Sequence, residues 1–186
     1  TKSAAPTKAE ALAHLDESLK QLDTDHVDIW YLHAKSKASD LSDDLLEAQA
    51  VAKQQGKIRF AGVSCHSGHA ELIPAAIAKK MDVVLVTYNF TMADRNDALM
   101  QSLHDAGVGV VAMKVMAGGR GPEAVAMREK LAAQGGMLAA LKWTLRNPFV
   151  HATIPSTTDM AQLDENLRAM AEPWVAADQQ RLVTRL

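Results

Sequence analysis

Two hydrophobic periods alternate along this chain. Leu12, Leu15, Leu19 and Leu22 are spaced by three and four, which makes one stripe of an amphipathic helix. Thr7 and Glu10 stand at its start in a capping-box pattern. Val27-Asp28-Ile29-Trp30-Tyr31-Leu32-His33 then gathers β-branched and aromatic residues, which predicts a strand that ends in a histidine. The helical period returns over about 42–55, with Leu45, Leu46, Ala48 and Val51 inward and Gly56 as the stop. Residues 57–64 predict a second strand, ending in Ser64, and a helix follows over about 69–80. Val83-Val84-Leu85-Val86-Thr87-Tyr88 is continuously apolar until its last residues, as expected of a strand buried on both faces. Beyond it come a helix over 94–106 and a strand over 109–114 that ends in Lys114. Turn formers occupy Gly118-Gly119-Arg120-Gly121-Pro122. Helices over 123–133 and 137–146, a short strand over 150–154, a helix capped by Thr158 or Asp159 with Met160, Leu163 and Leu167 on one stripe, and a last helix opened by Pro173 toward Leu186 complete the pattern. At the other end, Thr1-Lys2-Ser3 precedes the first helix, so Lys2 falls at the carboxyl end of a strand of its own.

Alternation of this kind implies a parallel sheet with both faces covered, either doubly wound or closed as a β/α barrel. No Gly-x-Gly-x-x-Gly opens a helix after a strand, so the dinucleotide fingerprint of the doubly wound fold is missing. A closed barrel needs eight strands and about 250 residues. At roughly 30 residues per βα unit, five strands and a stub leave two units unaccounted for, expected before Thr1. The expectation is one partial TIM-type barrel domain over 1–186. Chemistry in such folds sits at the carboxyl ends of the strands, which singles out His33 and, further on, Lys114, while for Lys2 a solvated lysine at a chain end is the favoured reading. His33 is the strongest of these, as the side chain whose ordinary pKa lies nearest neutrality; the bland alternative is a core histidine.

Composition narrows the function classes. The 186 residues are 48% hydrophobic and 23% charged, with a formal net charge of −2, an ordinary balance for a soluble globular domain. The chain lacks the basic run of a nucleic-acid binder and any apolar run near membrane-span length, so neither partner is expected, and a cytoplasmic location is. Cys65 is the one cysteine and excludes an internal disulfide. Cys65-His66-x-x-His69 offers three donors of the kind catalytic zinc uses. The loop is short, however, and a structural role is favoured, so no metal is expected. Met81, Met92, Met100, Met113, Met116 and Met137 fall mostly on apolar faces and read as core filler.

Several segments together resemble the aldo-keto reductase family. They are Leu15-Asp16-Glu17-Ser18-Leu19-Lys20-Gln21-Leu22 running into the His33 strand, Gly56-Lys57-Ile58-Arg59-Phe60-Ala61-Gly62-Val63-Ser64, and Ile154-Pro155-Ser156 leading to Leu163-Asp164-Glu165-Asn166-Leu167. The resemblance covers essentially the whole chain and implies a barrel that transfers a hydride between NAD(P)H and a small-molecule carbonyl. It places Lys2 and His33 in the catalytic set. The family's Asp and Tyr belong to earlier elements without counterpart here, so the chain alone is expected to be inactive. Neither Tyr31 nor Tyr88 matches the missing acid. For the cofactor, the resemblance gives Ser64 and the following Cys65 to the carboxamide, with Cys65 standing where Asn is common. It gives Lys114 the end of the seventh barrel strand, in a Met-Lys pair resembling a bacterial branch, and Glu165 with Asn166 the adenine end. Ser156 and Gln162 occupy positions where many members carry Lys and Arg for the 2′-phosphate. Ser156, Thr157 and Thr158 lie beside a helix start whose amides favour an anion. NADPH is therefore expected as reductant, more weakly held than usual, with NADH tolerated. Two other readings stay open: a Schiff-base, aldolase-like barrel using Lys114, and a non-catalytic barrel-derived binding or scaffold protein. Substrate identity and oligomeric state are not encoded in any motif.

Overall fold

A computed structural model describes residues 1–117 and 121–182 of the chain. The turn formers Gly118-Gly119-Arg120 and the last four residues of the predicted final helix lie outside the described residues. Six strands are hydrogen-bonded in chain order, with every registered pair parallel. This is the α/β, partial TIM-type arrangement that the alternation predicts. The chain divides into two compact units, Thr1–Val86 with Ser102–Val110, and Thr87–Gln101 with Val111–Leu186.

The first unit opens on β1 (Lys2–Ser3), so the stub is a strand. Helix α1 (Lys8–Leu22) starts where Thr7 Oγ1 accepts the Glu10 amide at 3.4 Å, and it buries Ala11, Leu15 and Leu19. Strand β2 (Val27–Lys35) runs two residues past His33. Ala34 there takes φ +54°, and the β2–β3 register shifts between Leu32 and Lys35. Helix α2 (Asp43–Gln54) is capped by Ser42 and buries Leu45, Ala48, Gln49 and Ala52. Gln49 is the unexpected member: its Nε2 donates to the carbonyls of Trp30 at 3.0 Å and Gly62 at 2.9 Å, tying β2 to β3.

Strand β3 (Ile58–Cys65), helix α3 (His69–Ala78) and strand β4 (Val83–Thr87) continue the alternation. Two glycines are demanded by close approach. A Cβ on Gly62 would stand 2.6 Å from Cδ1 of Tyr31, whose ring crosses it, and one on Gly68 (φ +67°) would collide with the Ser36 carbonyl. Helix α4 (Ala93–Asp105) and strand β5 (Gly109–Met113) contribute residues to both units.

The second unit holds α5 (Pro122–Ala133), α6 (Gly136–Leu145), β6 (Ala152–Thr153), α7 (Met160–Ala171) and α8 (Ala176–Arg181). Helix α6 is buried nearly all round. Its Lys142, 5% exposed, pairs at 2.7 Å with the fully buried Asp178 of α8. Helix α7 differs from the simple expectation of an inward stripe. Met160, Leu163, Leu167 and Met170 do share one face, but that face is exposed, Met170 by 79%. Strand β6 is only two residues long, shorter than the 150–154 run predicted, because Ile154 and Pro155 leave the ladder after one last bond from the Ile154 amide to Ala112.

Candidate active site

In the first unit, the parallel register places a set of side chains on one sheet face. Lys2 pairs with Tyr31, and Tyr31 with Gly62. Side chains alternate along a strand, so His33 and Ser64, each two residues on, share that face. They meet: Ser64 Oγ lies 3.0 Å from His33 Nδ1 and accepts the Ala34 amide at 2.9 Å. With an acceptor site already used by that amide, the Ser64 hydroxyl is placed to donate to Nδ1. That favours the tautomer with its proton on Nε2. Burial, then the charges of Lys2 and Lys35, hold the His33 pKa below its ordinary value of 6.5, so the ring is neutral at pH 7. Its edge also meets His66, the ring centroids 5.3 Å apart.

Cys65, expected to join Ser64 at the carboxamide, is not brought to it. Alternation along β3 turns Cys65 to the opposite face, where its buried thiol donates to the Ser67 carbonyl at 3.2 Å and burial raises its pKa to about 11. Among the described residues, no three His, Cys, Asp or Glu side chains gather closely enough to hold a metal ion.

In the second unit, Lys114 follows β5 in the left-handed region (φ +54°). Its carbonyl accepts Asn89 Nδ2 at 3.0 Å, and its side chain is exposed. A Schiff-base lysine is activated by desolvation or by a neighbouring cation, and exposure supplies no desolvation.

The loop and helix after β6 fare better. Ser156, Gln162, Glu165 and Asn166 line one cavity of about 460 Å³, and Thr157 Oγ1 accepts Asn166 Nδ2 at 2.9 Å. The start of α7 is already occupied by an anion of its own. Asp159 Oδ1 accepts the Gln162 amide at 2.9 Å, and Asp159 Oδ2 accepts Gln162 Nε2 at 2.8 Å. Gln162 Oε1 in turn accepts both the Thr158 amide and Thr158 Oγ1. Besides Ala132, the lining takes in Arg128 and Glu129 of α5 and the methionines Met116 and Met137. None of these four was legible as a site residue, because α5 carries no sharp apolar stripe to fix which side it presents. Of the methionines expected in the core, Met81, Met100 and Met113 are buried there.

The chain's two tyrosines are not tuned as acids. Burial raises the pKa of Tyr31. Burial and then the Asp97 carboxylate raise that of Tyr88, whose hydroxyl donates to Asp97 at 2.6 Å and accepts Asn147 Nδ2 at 2.7 Å.

A sequential parallel α/β series with polar groups at the strands' carboxyl ends belongs to the β/α-barrel class. The chain is a member of the aldo/keto reductase family, whose sequence profile matches residues 1–184. It is similar to the uncharacterised oxidoreductase YrpG of Bacillus subtilis (26% identity), a match over 84% of this chain and 57% of that protein. It also resembles the L-glyceraldehyde 3-phosphate reductase of Escherichia coli K12 (27% identity), over 58% of this chain and 32% of that enzyme. The chain thus spans little more than half the length of the longest-matching of these relatives. Among solved structures, the holo form of aldo-keto reductase AKR11C1 from Bacillus halodurans superposes with a TM-score of 0.75 at 24% identity, covering 98% of this chain and 69% of that one. A thermostable aldo-keto reductase, Tm1743, solved with the inhibitor epalrestat, gives 0.71 at 25% identity, covering 97% and 68%.

Proposed function

We propose that this chain, as one partial barrel domain, supplies the carbonyl-orienting and cofactor-holding groups of an NAD(P)H-dependent reductase that converts aldehydes or ketones to alcohols. NADPH is the expected reductant and NADH is tolerated. The observation that carries this reading is His33 fixed through Nδ1 by Ser64 on the face that also bears Lys2, with burial lowering the ring's pKa.

When bound, the nicotinamide supplies the hydride for the carbonyl carbon. The chain's own residues do the rest. His33 Nε2 donates a hydrogen bond to the carbonyl oxygen, whose negative charge grows as the hydride arrives; one such donor is worth about 10²–10³ in rate. Lys2 places an ammonium on the same face, where it would lower the pKa of the acid's phenol once the earlier elements of the barrel supply one. Neither of the chain's tyrosines matches the acid that would give the proton completing the alcohol, so the chain alone is not expected to turn over. The cavity lined by Ser156, Gln162, Glu165 and Asn166 suits the adenosine end: its carboxylate and amide side chains are the groups that read ribose hydroxyls and a base edge.

The test joins the chain to the first two βα units of a family member and measures NADPH oxidation with a simple aldehyde. The name of one relative assigns it a phosphorylated aldehyde, which makes small aldehydes the first substrates to try. Turnover in the joined protein, lost on His33→Ala and absent from the chain alone, is the expected result. Turnover by the chain alone would mean that the acid has been misplaced. Borohydride trapping of a carbonyl on Lys114 would favour the Schiff-base reading, and no chemistry in either form would favour the scaffold.

A further inference from the structure

We propose that α5, and not the loop after β6, sets which nicotinamide nucleotide is preferred, with Arg128 the residue that meets the 2′-phosphate of NADPH and Glu129 the residue that opposes it. The inference rests on the cavity being the adenosine end of the cofactor site. Three observations converge on α5. The positions where a positive charge would be expected after β6 are Ser156 and Gln162, both neutral. Gln162 is also spent: its amide oxygen accepts from Thr158 at 2.9 and 3.2 Å, and its amide nitrogen donates to Asp159 at 2.8 Å. The N-terminus of α7, which would otherwise attract a phosphate, is capped by the Asp159 carboxylate at 2.9 Å. An anion arriving there meets a like charge instead of open amides.

Among the described residues that line the cavity, Arg128 is the one that is cationic. It is half-buried, on the wall shared with Met116 and Met137. A planar guanidinium matches phosphate geometry by paired hydrogen bonds, which a neutral ribose hydroxyl cannot exploit to the same degree. Glu129 is the adjacent residue on the same lining, and a carboxylate there favours the diol and disfavours the phosphate. Selectivity is then a balance between two neighbouring residues of one helix.

The test uses the whole chain and two small probes, adenosine 2′,5′-bisphosphate and 5′-AMP, with affinities read by titration calorimetry. Arg128→Ala should weaken the bisphosphate about ten- to a hundredfold, the worth of one charge-assisted hydrogen bond, and leave 5′-AMP within twofold. Arg128→Lys should restore part of the loss, which separates charge from folding. Glu129→Gln should tighten the bisphosphate a few-fold. Equal loss for both probes, or none for either, on Arg128→Ala overturns the role of Arg128 while leaving the cavity a nucleotide site. Binding of neither probe by the unaltered chain overturns both.

Discussion

The two units hold their candidate groups by different means. In the first, Lys2, His33 and Ser64 sit on strands, and the meeting of His33 with Ser64 on the face that bears Lys2 follows from a register fixed by the ladder itself: Lys2 opposite Tyr31, Tyr31 opposite Gly62. In the second, Ser156, Gln162, Glu165, Asn166 and Arg128 sit on a loop and on two helices, and side-chain hydrogen bonds hold several of them in place. A strand-borne site is as rigid as its sheet. A helix-borne cavity is as rigid as the packing beneath its helices. The difference predicts that damage to the second unit acts from below, through its core, whereas damage to the first acts through the sheet.

The largest effect should come from the ion pair between α6 and α8. Lys142 is 5% exposed and Asp178 fully buried, at 2.7 Å. Replacing Asp178 leaves the buried Lys142 with Glu172 alone, at 3.9 Å, a loss bounded by the roughly 3–5 kcal/mol that breaking a buried pair costs. Asp178→Asn should lower the free energy of unfolding by up to that amount and abolish nucleotide binding, while the His33–Ser64 contact persists in NMR spectra of the histidine ring. The pH dependence has a definite sign. Burial opposes ionisation of Asp178, but the Lys142 hydrogen bond, the Val175 amide and the charges of Lys142 and Arg181 outweigh it and hold the pKa below the ordinary 3.8. A depressed carboxyl pKa contributes stability above about pH 3.8 that is lost as pH falls through the folded-state value. Asp178→Asn should therefore flatten the acid limb of the stability curve. An unchanged acid limb would sink the assignment.

In the first unit the corresponding staple is Gln49. Its Nε2 donates to Trp30 and Gly62, one carbonyl on each of β2 and β3. Gln49→Leu roughly keeps the volume and removes both bonds, each worth about 0.5–1.5 kcal/mol. Because β2 and β3 carry His33 and Ser64, this loss should broaden the His33 resonances, which Asp178→Asn should not do. If the two substitutions disturbed His33 equally, the contrast between the units would fail.

Much of the first unit was legible in the chain because period and burial agreed. Leu15 and Leu19 are buried where the three-four spacing put them, and Thr7 caps the first helix as its pattern with Glu10 predicts. Gln49 was not legible, since a polar residue inside an amphipathic helix reads as surface until its partners are known. The carboxamide role of Cys65 rests on the resemblance alone, and alternation along β3 turns its side chain away from Ser64. The α7 stripe was legible as a stripe, but what covers a stripe is a tertiary question: Met160 is 69% exposed. Arg128 was invisible because cavity walls combine segments far apart in sequence, here α5 and the loop after β6.

A smaller effect concerns the cap of α7. Asp159 satisfies the Gln162 amide and orients the Gln162 side chain. Asp159→Ala should cost about 1 kcal/mol, as helix N-caps do, seen as a small drop in the second unit's unfolding midpoint. It also removes a negative charge from the helix start, so adenosine 2′,5′-bisphosphate should bind somewhat more tightly despite the lost stability. A fall in affinity that tracks the stability loss would mean that the cap acts only as structure.

The subtlest expected effect is on His33 itself. Burial is the first cause of its lowered pKa, and the charges of Lys2 and Lys35 add to it. Nearby cations disfavour the imidazolium, so removing one raises the pKa. Lys2→Gln should move the His33 midpoint, followed by NMR, upward toward 6.5 without reaching it, because the burial cause remains. Lys35→Gln should move it less, in the order of the two charges. The linkage has a sign as well: a histidine whose folded pKa is depressed contributes stability above its ordinary pKa of 6.5, lost as pH falls through the folded value. Lys2→Gln should therefore make the first unit slightly less sensitive to acid between those two values. A midpoint that stays fixed in Lys2→Gln would place the Lys2 ammonium too far from the ring to act on a phenol bound at the same face, and the role proposed for Lys2 would fall with it.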